Sequence, residues 1–195
     1  MKGIPRRMNK KDKILVERIK KGDKQAMAEI YDTYYKPMFN TAYRIVNDFH
    51  FAEDVLHEAF IKAFTHIHQY KGTASFGAWL KRIIINESLQ WIKKYGHWHP
   101  EENDARLNKL HGKEEIYEEN EPDFPQNEKP REILMAMRRL KDNYRTILSL
   151  YYIEGYDYDE ITQIMGISYQ NARTMLSRAK TALKNLLKEN NAYEG

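Results

Sequence analysis

The sequence predicts an all-α protein of two small helical domains joined by a flexible acidic linker, with residues 1–97, 98–130 and 131–195 as the three parts. Three observations lead there. Apolar residues recur at steps of three and four along most of the 195 residues, with no sustained alternation of period two. Between Tyr95 and Pro130 that rhythm fails, and Gly96, Pro100, Gly112, Pro122, Pro125 and Pro130 lie scattered among Glu, Asp and Asn, as in a linker. Charge divides the same way: Glu101 to Glu128 holds 10 acidic residues against 3 Lys or Arg, residues 1–100 hold 18 basic against 10 acidic, and residues 129–195 hold 11 against 8. Two basic blocks around an acidic connector suit a polyanionic partner such as nucleic acid, although lysine and arginine also clothe ordinary helical surface.

Each element has its own signal. A first helix is expected over 12–21 with Ile14, Leu15 and Ile19 inward, then Gly22 as its stop and Asp23 as the next N-cap. Met27, Ile30, Tyr31 and Tyr34 line a second helix. Pro37 cannot donate into a helical ladder, so a kink or restart is expected there, before Met38, Ala42, Ile45 and Val46. Asn47-Asp48 reads as a turn with a cap. From Phe51 to Gln69, Ala52, Val55, Leu56, Ala59, Phe60, Ala63, Phe64 and Ile67 form a stripe broad enough to bury against two neighbours. The polar loop Lys71 to Ser75 separates it from a helix over 76–94. Beyond the linker, Ile133, Leu134, Met137 and Leu140, then Ile147, Leu148, Leu150 and Tyr151, resume helical spacing, and three helices are expected there.

Several function classes are disfavoured. No apolar run approaches the roughly 18 to 20 residues of a membrane span, so no membrane insertion is expected. The absence of cysteine rules out a disulfide framework or a thiol nucleophile and fits a reducing compartment. The expected location is cytoplasmic. His57-Glu58 begins like a zinc-protease signature, but Ile61 stands where the second histidine must be. His97, His99 and His111 lie in the irregular segment and form no ordinary ligand spacing. No enzyme, catalytic residue, metal or cofactor is expected.

The C-terminal block holds the most specific pattern. Tyr158 to Met165 reads as a short helix, Gly166 as its left-handed end, Ile167 as a buried turn residue and Ser168 as the N-cap of a long final helix. This is helix-turn-helix grammar. In the final helix Ala172, Leu176, Ala179, Leu183 and Leu186 fall at steps of four, three, four and three, leaving Gln170, Asn171, Arg173, Thr174, Ser177, Arg178 and Thr181 outward. Arginine can bridge guanine, amides can pair with adenine, and hydroxyls can hold phosphates. A solvated polar face would read the same way.

Two further patterns lie in the N-terminal block. Asp54, His57, Glu58 and Ile61 form one strip beside the apolar stripe, and an isoleucine among acids on an outward strip suits a partner surface, or a solvated face with one stray apolar residue. Tyr70, Lys71, Gly72, Thr73, Ala74 and Ser75, followed by Phe76, Trp79, Arg82 and Asn86, join aromatic groups to small polar residues beside a basic helix. Rings and an amide can hold an unstacked base. Phe76 and Trp79 serve equally well as core.

In the order and spacing of these elements the chain resembles the ECF (extracytoplasmic function) sigma factors of the sigma-70 family, over about residues 12–95 and 131–189. The marks are Gly22-Asp23, the run Ala52 to Phe60, Trp79-Leu80 with Arg82 and Asn86, and Tyr156 to Ile161 before the helix-turn-helix. The resemblance implies a bacterial initiation factor that binds core RNA polymerase and reads promoter DNA. The alternative is a polymerase-independent helix-turn-helix regulator. By position, Asp54, His57, Glu58 and Ile61 would face the β′ clamp helices, and the second domain the β flap. Tyr70 to Ser75, Trp79, Arg82 and Asn86 would take the −10 element, and Gln170, Asn171, Arg173, Thr174, Ser177 and Arg178 the −35 element. An anti-sigma factor would be a further partner. His57 stands where the family usually has glutamine, and Met175 where a basic residue is frequent. Arg82 and Ile83 replace the strand-separating tryptophans of primary sigma factors.

Overall fold

The computed structural model describes residues 10–96 and 128–193, and every regular element among them is helical. The chain divides into two compact units, Met1–Trp91 and Ile92–Gly195. Residues 97–127, which contain most of the expected linker with His97, His99 and His111, lie outside the described residues.

The first unit is built from α1 (Lys10–Lys20), α2 (Lys24–Val46), α3 (Phe49–Thr65), a 3₁₀ turn (Ile67–Gln69) and most of α4 (Phe76–Tyr95). Gly22 takes φ +83°, which a side chain would resist. Asp23 then caps α2, its Oδ1 accepting from the backbone N–H of Gln25 at 2.9 Å and of Ala26 at 3.1 Å, while its Oδ2 accepts from Arg18 Nε at 2.7 Å. Asn47, left-handed at φ 61°, ends α2, and Asp48 caps α3 through the N–H of Phe51 at 3.0 Å. The turn read from Asn47-Asp48 is present.

Two points need correction here. Of the kink or restart expected at Pro37, the restart does not occur: α2 runs unbroken through the proline. The missing donor is outweighed by burial on both sides, Ala26 and Ile30 before the proline and Met38, Phe39, Ala42, Ile45 and Val46 after it. Ile14 does not face inward but is 55% exposed. Leu15, Val16 and Ile19 fill the inner face of α1 with Asp12, and Ile14 is turned away by the roughly 100° that separates neighbours on a helix. On α3, Ala52, Val55, Leu56, Ala59, Phe60 and Ala63 are all buried as expected, and Ile67 remains buried after the helix tightens into its 3₁₀ turn.

The second unit contains four α-helices among the described residues rather than three: α5 (Glu128–Arg138), α6 (Asp142–Leu148), α7 (Tyr158–Met165) and α8 (Tyr169–Tyr193). The extra boundary lies at Leu140-Lys141. Arg145, 3% exposed, holds it by donating to the Leu140 carbonyl at 2.9 Å and to Asp142 Oδ1 at 2.6 Å. After α6 the chain widens into a π-helical turn, Ser149–Ile153, before α7.

The helix-turn-helix is formed by α7 and α8. Asp157 and Glu160 open α7 with a reciprocal capping box, each side chain accepting from the other's backbone N–H at 2.9 Å. Gly166 closes it at φ +69°, and Ser168 Oγ accepts from the N–H of Asn171 at 3.2 Å to start α8. Ile167, expected to be buried, is half-buried.

Candidate functional site

The strip on α3 is wholly outward: Asp54, His57 and Glu58 are exposed, and Ile61 is 60% exposed. It is broader than the sequence showed, because α2 contributes to it. The Tyr31 hydroxyl lies 2.9 Å from His57 Nε2, and the two rings stack at 6.1 Å and 15°. Tyr31 also touches Tyr35 and Phe60, and the Tyr35 hydroxyl donates to Glu53 Oε1 at 3.1 Å. Burial pushes both phenols above their usual range, and the Glu53 carboxylate adds to it. Lys62 pairs with Glu58 at 3.5 Å and with Glu87 of α4, which raises the lysine's pKa. The result is an acidic face with an exposed isoleucine, buttressed by tyrosines. Nothing local in the sequence announced Tyr31, which lies 26 positions from His57.

The loop residues separate into support and surface. Tyr70 is not an open ring: it is 5% exposed, its hydroxyl donates to the Ala74 carbonyl at 2.6 Å, and its ring packs on Phe76 and Trp79 at 5.6 and 5.3 Å. Burial raises its phenol, helped by the charge of Asp12. Phe76 is fully buried and belongs to the core. Lys71, Gly72 and Thr73 are exposed, and Ala74, Ser75 and Trp79 half-buried. Ser75 Oγ accepts from the Ala78 N–H at 3.2 Å at the start of α4. Trp79, Arg82 and Asn86 follow at steps of three and four along one face of α4, Arg82 half-buried and Asn86 exposed. Asn86 stands about 10 Å along the axis from Trp79.

On α8, Gln170, Asn171, Arg173, Ser177 and Arg178 are exposed and Thr174 half-buried, while Ala172, Leu176 and Ala179 are buried. Met175 is only 7% exposed and belongs to the inner face, so its lack of charge removes no contact from the outer one. The sequence reading missed Tyr169, 47% exposed at the first turn of α8 with its ring 5.5 Å from Tyr158. Among the described residues no cluster of metal-ligating side chains occurs, and no helix is long and apolar enough to cross a membrane.

A helical bundle with an acidic, partly apolar strip, and a second unit ending in a helix-turn-helix with an amide- and arginine-bearing outer face, make a two-module protein of the helix-turn-helix class. The chain belongs to the sigma-70 family, as an ECF sigma factor: residues 30–97 match Sigma-70 region 2 and residues 131–183 match Sigma-70, region 4. It is similar to the ECF RNA polymerase sigma factor SigW of Bacillus subtilis (strain 168), 30% identical over 89% of this chain and 95% of that protein. SigM of the same organism is 32% identical over 81% and 93%, and the ECF RNA polymerase sigma-E factor of Escherichia coli (strain K12) 28% over 89% and 93%. Two solved structures share the fold at a TM-score of 0.54: RpoE in complex with the anti-sigma factor NepR from Bartonella quintana, at 20% identity over 83% of this chain and 96% of that one, and CnrH in complex with the cytosolic domain of CnrY, at 18% over 92% and 98%. The chain is thus a transcription initiation factor that directs RNA polymerase to specific promoters.

Proposed function

We propose that its three exposed surfaces divide the work of initiation. Asp54, His57, Glu58 and Ile61, with Tyr31 behind them, bind the clamp helices of core polymerase. Lys71 to Ser75, Trp79, Arg82 and Asn86 take the −10 element, with Tyr70 holding the loop from beneath. Gln170, Asn171, Arg173, Thr174, Ser177 and Arg178 read or clamp the −35 element, and the second unit docks on the β flap. The acidic segment 98–130 links the two modules.

The observation that carries this reading is Ile61, 60% exposed in an acidic strip and unused by its own core. An exposed isoleucine alone is ordinary; Ile61 counts because it shares one exposed face of α3 with Asp54, His57 and Glu58, the strip that by position corresponds to the polymerase-binding surface of the sigma-70 family. The chain acts without a chemical step of its own, in the cytoplasm where the polymerase works. The anti-sigma complex of the RpoE neighbour supports an anti-sigma factor as its regulatory partner. Reconstitution with core polymerase and run-off transcription on genomic fragments tests the reading. Promoter-specific transcripts that need this chain are expected; tight operator binding with no need for polymerase would favour a free regulator instead.

A further inference from the structure

Asp12 is an unusual residue for its place. It sits among Lys10, Lys11 and Lys13 on α1, outside the residues that match region 2, yet it is only 3% exposed. A carboxylate withdrawn from water persists where it is hydrogen-bonded, and here the Tyr34 hydroxyl of α2 donates to its Oδ2 at 2.6 Å. Burial and that bond push the Tyr34 phenol far above its usual range.

Tyr34 carries the contact onward. Its ring meets Phe76 edge-on at 5.6 Å and lies so close to Gly77 that a Cβ there would stand 2.8 Å from Tyr34 Cε1. Phe76 and Gly77 open α4, immediately after the loop 71–75. Phe76 also packs at 5.6 Å on Tyr70, the residue before the loop, whose hydroxyl donates across the loop to the Ala74 carbonyl. Both ends of the loop therefore rest on one aromatic cluster, and that cluster on Asp12.

We infer that Asp12 is a positioning residue for promoter reading: through Tyr34, Phe76 and Gly77 it sets where Thr73 and Asn86 meet an unstacked −10 base. Gly77 makes the seat specific, since any larger residue would displace Tyr34. The inference rests on the proposed role of the loop, and its test separates the two.

The experiment uses the full chain with core polymerase on promoters varied at each −10 base, reading strand opening by permanganate reactivity as the ratio between preferred and non-preferred bases. Tyr34→Phe, which removes one charge-assisted hydrogen bond, is expected to lower that ratio by about tenfold, and Asp12→Ala by at least as much. Asp12→Asn keeps an acceptor oxygen and should retain part of the ratio, and the double variant should do no worse than Asp12→Ala alone. Polymerase co-purification should not change. If Asp12→Ala fails to fold, Tyr34→Phe, which keeps the ring, carries the test. Loss of the ratio in Thr73→Ala and Asn86→Ala, with Asp12→Ala and Tyr34→Phe unaffected, overturns this inference and leaves the loop reading standing. A ratio near one already in the unaltered chain overturns the loop reading and this inference with it.

Discussion

The Tyr31 hydroxyl stands 2.9 Å from Nε2 of His57, joining α2 to the acidic strip of α3 across 26 positions of sequence. The pair holds the His57 ring with one face stacked on Tyr31, and on either side of it Asp54 and Ile61 are exposed, as is Glu58 in its ion pair with Lys62.

Charge reversal at Asp54 and Glu58 should therefore abolish co-purification with core polymerase while helical content by circular dichroism stays intact. Ile61→Ala should shift thermal stability by less than about 0.5 kcal/mol, because the side chain is mostly in water, yet weaken polymerase binding by more than about 1 kcal/mol. Unchanged binding in both variants would remove this strip from the interface.

On α8, Arg173→Ala should cost about 1 to 3 kcal/mol of promoter binding and relax preference at one base pair, whereas loss of a phosphate contact would weaken all sequences evenly. Equal loss on specific and random DNA, measured by titration with holoenzyme, would reassign Arg173 to the backbone. Met175→Arg should lower the melting temperature of the second unit rather than add a contact, since it places a charge at a position that is 7% exposed. Stronger −35 binding by that variant would contradict the packing.

Tyr70 should behave as a support. Tyr70→Phe removes its bond to the Ala74 carbonyl and is expected to cost about 1 kcal/mol, with faster proteolysis in the 71–75 loop. Tyr70→Ala leaves a cavity beside Phe76 and Trp79 and should cost about 3 to 5 kcal/mol. A stable Tyr70→Ala protein that melts like the original would show the ring to be dispensable to the core.

Asp23 links a cap to an ion pair, and its pH dependence has a definite sign. The Arg18 hydrogen bond, then the backbone N–H of Ala26, lower its pKa below the ordinary 3.8. A carboxyl depressed on folding adds stability above its unfolded pKa and loses it as pH falls through the folded value. Relative to Asp23→Asn, the unaltered chain should hold a constant stability advantage at neutral pH. The gap should begin to shrink as pH nears the ordinary 3.8 and go on shrinking as it falls through the lower folded value, as followed by thermal melts across an acid series. A gap that closes near pH 6 would place its origin elsewhere.

What the sequence determined by itself was local. The helix-turn-helix was legible because Gly166 and Ser168 act within one turn of the chain: a left-handed stop needs no distant neighbour, and a serine cap reaches only to Asn171. The stripe on α3 was legible for a related reason, since periodicity declares a face before anything packs on it. Which residue of a borderline pair turns inward was not legible. Ile14 and Val16, or Met175 beside Leu176, differ by a rotation that only the partner helices decide. Tertiary structure alone also decided the fates of the polar groups. Tyr70 became a latch, Tyr31 met His57, and Asp12 was buried against Tyr34, because a hydroxyl or carboxylate leaving water is stabilised only where a second, sequence-distant group completes its hydrogen bond.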